Sequence, residues 1–132
     1  MRYSVLPAEK VADVRDLIRA FCVETCATPD IEEFTINGIQ NGLITAFIAT
    51  DNEKVIGVLG FRKFPESYLG DLFYVIPECR GKLVGGRLHN MVKKEAKTHG
   101  VHKLIVLATG EQSQKYYKVG YKHKWHVLEM EV

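Results

Sequence analysis

The sequence predicts an α/β domain of the α+β kind, a mixed central β-sheet with helices on both faces. Three observations lead there. Strand and helix patterns alternate in the order β, α, α, β, β, β, α, β, α, β. Three of the strands follow one another through short links and therefore pair antiparallel. The next strand is reached only across a long helix, which makes it parallel to its neighbour. The chain has 132 residues, 46% hydrophobic and 26% charged. That suits a single domain over residues 1–132 with its own core, and it excludes disordered and collagen-like chains.

Each element has a local cause. Residues 3–6 read as a short strand, and Pro7 opens a helical segment over residues 8–26 with Val11, Val14, Leu17, Ile18, Phe21 and Cys22 at helical spacing. Thr28-Pro29-Asp30 breaks it. Asp30 is read as the cap of a second helix, with Glu32 and Glu33 in the first turn where the dipole favours anions. Residues 43–50 and 55–64 are apolar, β-branched runs joined by Asp51-Asn52-Glu53-Lys54, a hairpin. Residues 68–76 form a third strand, stopped by Pro77. Residues 83–99 are a helix with Val84, Leu88, Met91, Val92 and Ala96 inward, ended by Gly100. Residues 101–108 are nearly all apolar, as in a buried strand. Residues 111–118 read as a short helix before Gly120, and residues 121–132 as at least one closing strand.

The formal net charge of +2 hides an asymmetry. Residues 1–79 carry 7 Lys and Arg against 12 Asp and Glu, whereas residues 80–132 carry 11 against 4. Such a division fits an anionic ligand on one part and a cationic one on the other. No run approaches the eighteen or so apolar residues of a membrane span, and the first seven residues lack a signal-peptide core. Cys22, Cys26 and Cys79 have no framework spacing, so reduced thiols and a cytoplasmic setting are expected, with Cys22 and Cys26 in the core. No metal is expected, because neither the cysteines nor the histidines have ligand spacing. His89, His99, His123 and His126 are expected to be exposed, and Trp125 to pack on the sheet.

The chemically informative stretch is residues 69–92. A strand runs into a Gly-rich turn with glycines at 81, 85 and 86, and the turn opens a helix. Unpaired N–H groups and the helix dipole make such a place suited to phosphates. A P-loop would need Gly-Lys followed by Ser or Thr, and a Rossmann turn Gly-x-Gly-x-x-Gly; neither is present. Val75-x-Pro77-x-x-Arg80-Gly81-Lys82-x-Val84-Gly85, followed by Leu88, instead resembles the signature of the GCN5-related N-acetyltransferases (GNAT superfamily). The likeness spans roughly residues 43–121, including the later Tyr116-Tyr117-Lys118-Val119-Gly120-Tyr121 segment. One position departs from the pattern: Leu83 stands where the family's first glycine is expected. A leucine there must point away from the phosphates.

The resemblance implies acetyl-CoA as co-substrate and transfer of its acetyl group to a primary amine. Phe73, Tyr74 and Val75 would hold the pantetheine arm by their backbone, in the space where a bulge splays their strand from the next. A main-chain N–H near Tyr74 or Val75 would hold the developing oxyanion. Gly81, Lys82, Leu83, Val84, Gly85 and Gly86 would take the pyrophosphate, with the Arg80 and Lys82 side chains adding charge. Thr109 falls where the family often has an Asn on the coenzyme arm. Counting back from Gly120, the general acid would be Tyr116; pairing by the aromatic doublet would make it Tyr117. Asp71, on the strand face of Phe73 and Val75, would take the amine's proton, with Glu66 the weaker candidate. The acceptor would be a small amine or a protein amine, and a short tail leaves room for a homodimer. Two other readings stand beside transfer: a coenzyme-binding regulator, and a nucleic-acid modifier using Lys93, Lys94, Lys97, Lys122 and Lys124. No nucleic-acid-binding signature accompanies those lysines.

Overall fold

The computed structural model describes residues 1–108, 110–124, 128, 130 and 131. Its strands are β1 (Arg2–Val5), β2 (Thr45–Asp51), β3 (Lys54–Lys63), β4 (Ser67–Val75) and β5 (Lys103–Val106). Its helices are α1 (Arg15–Glu24), α2 (Pro29–Gln40), α3 (Val84–Thr98) and α4 (Gly110–Tyr117). Two 3-10 segments, Ala8–Val14 and Pro77–Cys79, lead into α1 and follow β4. The sheet order is β1-β2-β3-β4-β5; the first four strands are antiparallel and β5 pairs parallel to β4. This is the mixed sheet that the sequence predicts.

The sheet has a core on each face. On one, Val14, Leu17, Ile18 and Cys22 from the first helical segments and Ile36 and Ile39 from α2 cover Ala46, Ile48, Val58, Leu72 and Tyr74. On the other, Val84, Leu88, Val92 and Ala96 of α3 cover Phe47, Ala49, Leu59, Phe61 and Tyr68. Alternation along the strands sends successive side chains to opposite layers.

Several expectations are corrected. Residues 8–14 form a 3-10 segment, so the first long helix starts only at Arg15. Asp30 does not cap α2: Thr28 is the N-cap residue and Pro29 takes the first helical position, where its missing N–H costs nothing. Cys22 is buried, but Cys26 lies beyond the end of α1 with φ 56° and is exposed, so only the first is a core thiol. β5 is four residues long and half-buried, with Leu107 exposed; among the described residues it is paired on one side only. Residues 121–124 form no strand, and the rest of the expected closing strand falls largely outside the described residues, as do Thr109, Trp125 and His126.

One irregularity positions the site. β3 and β4 keep register from Gly57↔Val75 to Gly60↔Leu72 and then shift, so that Phe61 pairs with Gly70. Asp71 is the extra residue. Such a bulge bends its strand and increases local twist. The β4–β5 ladder runs from Ser67↔Lys103 to Gly70↔Val106, ending beside that bulge, and β4 continues to Val75 paired with β3 but not with β5. The two strands therefore part where the resemblance requires a gap.

Candidate active site

The gap is a cavity of about 80 Å³. It is lined by Asp71 and Phe73 of β4, residues 104–107 at β5, Phe21 and Glu24 of α1, His89 of α3, and Lys115, Tyr116 and Tyr121 around α4. Beside its wall the chain passes from the end of β4 to the start of α3, where Gly85 lies against the Phe73 ring. There Pro77 ends the strand, Gly81 turns the chain with φ 81°, and Leu83 takes a left-handed φ of 66° as N-cap of α3. The first bond back into the helix is donated by Arg87 N–H to the Leu83 carbonyl, at 3.1 Å. The N–H groups of Val84, Gly85 and Gly86 therefore precede any intrahelical acceptor and sit at the positive end of the dipole.

The turn fits a pyrophosphate on its own geometry. A side chain at Gly81 or Gly86 would project into open space, so neither glycine is there for packing; both leave the backbone bare. Gly85 has another reason: a Cβ there would meet the Phe73 ring at 3.2 Å, so its absence lets the helix start close over the strand end. Leu83 adopts the backbone conformation a glycine would supply, and its side chain is 72% exposed. The departure from the pattern therefore leaves the path of the turn intact.

The side chains of the site are held more tightly than sequence alone indicates. Asp71 accepts two bonds from Arg62, Nε and Nη2, each at 2.9 Å. As the bulged residue it escapes strict alternation, so the expected shared face with Phe73 and Val75 does not fix its direction. Arg62 in turn lies over the Phe34 ring of α2, 5.5 Å from its centroid. Arg80 does not extend freely at the turn: its Nε donates to the Val75 carbonyl and its Nη2 to Glu24, both at 2.8 Å, while its guanidinium stacks over Tyr74. The Val75 carbonyl is thereby engaged by Arg80. Lys82 is exposed.

Tyr116 is half-buried in the cavity wall, and burial raises its pKa, so the phenol keeps its proton. Tyr117, the alternative, is exposed and is not among the lining residues. Lys115, over the rings of Phe73 and Tyr116, has its pKa lowered by burial. Glu66 is exposed and outside the lining. The cavity thus gathers Asp71, Phe73 and Tyr116 and leaves Tyr117 and Glu66 outside, and the Gly-rich turn adjoins it through Gly85 and Phe73. Sequence reading missed Arg62, Glu24, Lys115, Tyr121 and His89. His89, expected to be exposed, is half-buried and bonded to the Tyr121 hydroxyl at 2.8 Å. Its position one residue after inward Leu88 was the available signal. Among the described residues, no group of three His, Cys, Asp or Glu is arranged to hold a metal.

A strand splayed by a bulge, beside a bare N–H turn at a helix start, defines an acyl-transfer scaffold. The chain belongs to the acetyltransferase (GNAT) family, whose model matches residues 11–121. No curated protein sequence matches it. Solved structures do. A ribosomal-protein-alanine N-acetyltransferase from Brucella melitensis biovar Abortus 2308 superposes with a TM-score of 0.80 at 17% identity, covering 99% of this chain and 98% of that one. A predicted acetyltransferase from Clostridium acetobutylicum, solved with acetyl-CoA, gives 0.80 at 19% identity over 98% and 95%. The PaiA N-acetyltransferase of Thermoplasma acidophilum, in complex with coenzyme A, gives 0.76 at 20% identity over 94% and 92%. At such identities the likeness is one of fold.

Proposed function

We propose that this chain is an N-acetyltransferase that moves the acetyl group of acetyl-CoA to a primary amine by direct attack. The observation that carries the reading is the cavity itself. It holds the Asp71 carboxylate and the protonated Tyr116 phenol, and the bare start of α3 abuts its wall where Gly85 lies against the Phe73 ring. Acetyl-CoA supplies an activated thioester carbonyl. The N–H groups of Val84, Gly85 and Gly86 and the turn from Gly81 to Leu83 bind its pyrophosphate, with Lys82 adding positive charge, while Arg80 stays paired with Glu24. The backbone of Phe73, Tyr74 and Val75 aligns the arm, and an N–H near Tyr74 or Val75 holds the charge that develops on the carbonyl oxygen.

Asp71, fixed by Arg62, takes the proton from the attacking amine directly or through water. Tyr116 gives its proton to the departing thiolate. The acceptor is a small amine or a protein amine, the latter resembling the substrate class in the name of the Brucella neighbour. Free thiols at Cys22, Cys26 and Cys79 agree with the cytoplasmic setting included in this reading.

The test measures thiol release from acetyl-CoA against a panel of amines and peptides. Wild type is expected to turn over at least one acceptor. Tyr116→Phe is expected to lose about 10²-fold or more in kcat, with coenzyme binding intact. Coenzyme binding without turnover of any acceptor would favour the regulator instead, and absence of coenzyme binding would remove both.

A further inference from the structure

Two side chains of the cavity have no part in that reaction. His89 stands on α3 between Leu88 and Val92, both packed into the sheet, and its ring faces the cavity. Its Nε2 lies 2.8 Å from the Tyr121 hydroxyl, and the ring centroids are 5.6 Å apart. Tyr121 reaches this place because the chain reverses after α4. The N–H groups of Val119 and Tyr121 both donate to the Tyr116 carbonyl at 3.1 Å, and Gly120 takes φ 102°. The reversal lays Tyr121 edge-on to Tyr116, with centroids 5.4 Å apart and planes at 74°. His89, Tyr121 and Tyr116 thus form a row that joins α3 to α4 along one wall.

α4 has eight residues, too few to hold a helix in place by propensity alone. Its orientation must come from side-chain contacts. An apolar pair would bury as much surface, but a hydroxyl–imidazole bond also has direction. We propose that His89 and Tyr121 are positioning residues for Tyr116: their hydrogen bond fixes the Tyr121 ring, whose edge contact sets where the Tyr116 hydroxyl points in the cavity. The inference rests on Tyr116 being the proton donor of the proposed transfer.

His89 Nε2 accepts the hydrogen bond from the Tyr121 hydroxyl only while the ring is neutral with its hydrogen on Nδ1. Burial, reinforced by Lys93 on the same helix, lowers the pKa of His89. Burial chiefly, with Tyr116 adding, pushes that of Tyr121 up to about 12, so its hydroxyl keeps its hydrogen. Facing this row from the other elements are Lys115 on α4, Asp71 on β4 and Glu24 on α1. The two carboxylates are engaged by Arg62 and Arg80, which leaves the lysines to oppose a third positive charge. Protonation turns Nε2 into a donor, and the Tyr121 hydroxyl must then rotate.

The test compares wild type with His89→Gln, His89→Leu, Tyr121→Phe and Tyr116→Phe, using thiol release from acetyl-CoA with the best acceptor of the panel. His89→Leu and Tyr121→Phe are expected to lower kcat about tenfold, with KM for acetyl-CoA changed less than about twofold. His89→Gln, which keeps a hydrogen-bonding group, is expected to restore most of the rate. An acid limb in the wild-type kcat profile is expected to vanish in His89→Gln. Combined with Tyr116→Phe, neither substitution should slow the enzyme further. Failure of Gln to rescue, or effects that add fully to Tyr116→Phe, would overturn the proposal. Unfolding midpoints are recorded for all variants, and the Gln and Phe variants carry the test if His89→Leu does not fold. NMR of isotope-labelled tyrosine, with the Tyr116 signal identified by its loss in Tyr116→Phe, reads the row without turnover. That signal should move in His89→Leu and stay in His89→Gln; no movement in either variant overturns the positioning role. Absent turnover together with a moved signal overturns the transfer reading alone.

Discussion

Leu83 shows how a single residue carries both a motif and a strain. A β-carbon in the left-handed region crowds the following carbonyl, at a cost of roughly 1–2 kcal/mol that glycine does not incur. Leu83 sits there with φ 66°, at the N-cap of α3. Leu83→Gly is therefore expected to stabilise the fold by up to about 1 kcal/mol, after the greater chain entropy of glycine is deducted. Urea unfolding measures it, and a lower midpoint in the variant would contradict the strain. The amino-acid order revealed the departure from glycine at this position, but it does not contain φ. The same holds for Asp71. Its place six residues before Pro77 is legible in the sequence, whereas its pairing with Arg62 depends on a register shift that only strand pairing creates. Arg80 was legible as a charge at the turn; that its charge is spent on Glu24, 56 residues away, was not.

Among elements, α3 is the one on which the site hangs, since it carries the N–H turn at one end and His89 one turn in. Leu88 anchors it at 0% exposure, against the sheet face that holds Phe61 and Tyr68. Leu88→Ala is expected to cost about 2–5 kcal/mol, the range for emptying a closed core site. It is also expected to weaken coenzyme binding, because the helix start rides on that contact. Chemical denaturation and a coenzyme titration check the two effects, and a destabilisation below about 1 kcal/mol would show that the sheet collapses around the gap. α3 was legible almost to the residue because its apolar spacing is helical and Gly100 ends it. β5 was not: its apolar run suggested a long buried strand, yet pairing depends on a neighbour, and the bulge in β4 takes that neighbour away after Gly70. The row through α4 escaped for a similar reason, since an exposed histidine and a cavity-wall histidine look alike on a helix until the facing element is placed.

For the whole molecule, the charge asymmetry acquires a location. The basic part begins at the turn before α3, and the acidic part supplies Glu24 and Asp71 to the cavity lining, where each is paired with an arginine. Two groups also make the folded state weaker in acid. Glu95 has its carboxyl held below the ordinary value of 4.5, first by the hydrogen bond from Lys63, so its contribution is present above that value and lost as pH falls through the lower folded one. His89, lowered from 6.5 first by burial, acts sooner: below that value the unfolded chain takes up the proton before the folded chain does, and stability drops until the folded ring titrates as well. The melting temperature is expected to fall as pH drops below about 6.5, and His89→Gln to flatten that slope; thermal scans at several pH values decide it, and an unchanged slope in the variant would remove His89 as the cause. The sequence by itself determined the order of elements, the two-faced sheet and the turn at residues 80–86, because periodicity, glycine and proline act over a few neighbouring residues. Only the tertiary structure decided which charges are already paired, where the strands part and which tyrosine faces the cavity. Those depend on contacts between segments far apart in the chain, and a local pattern carries no record of them.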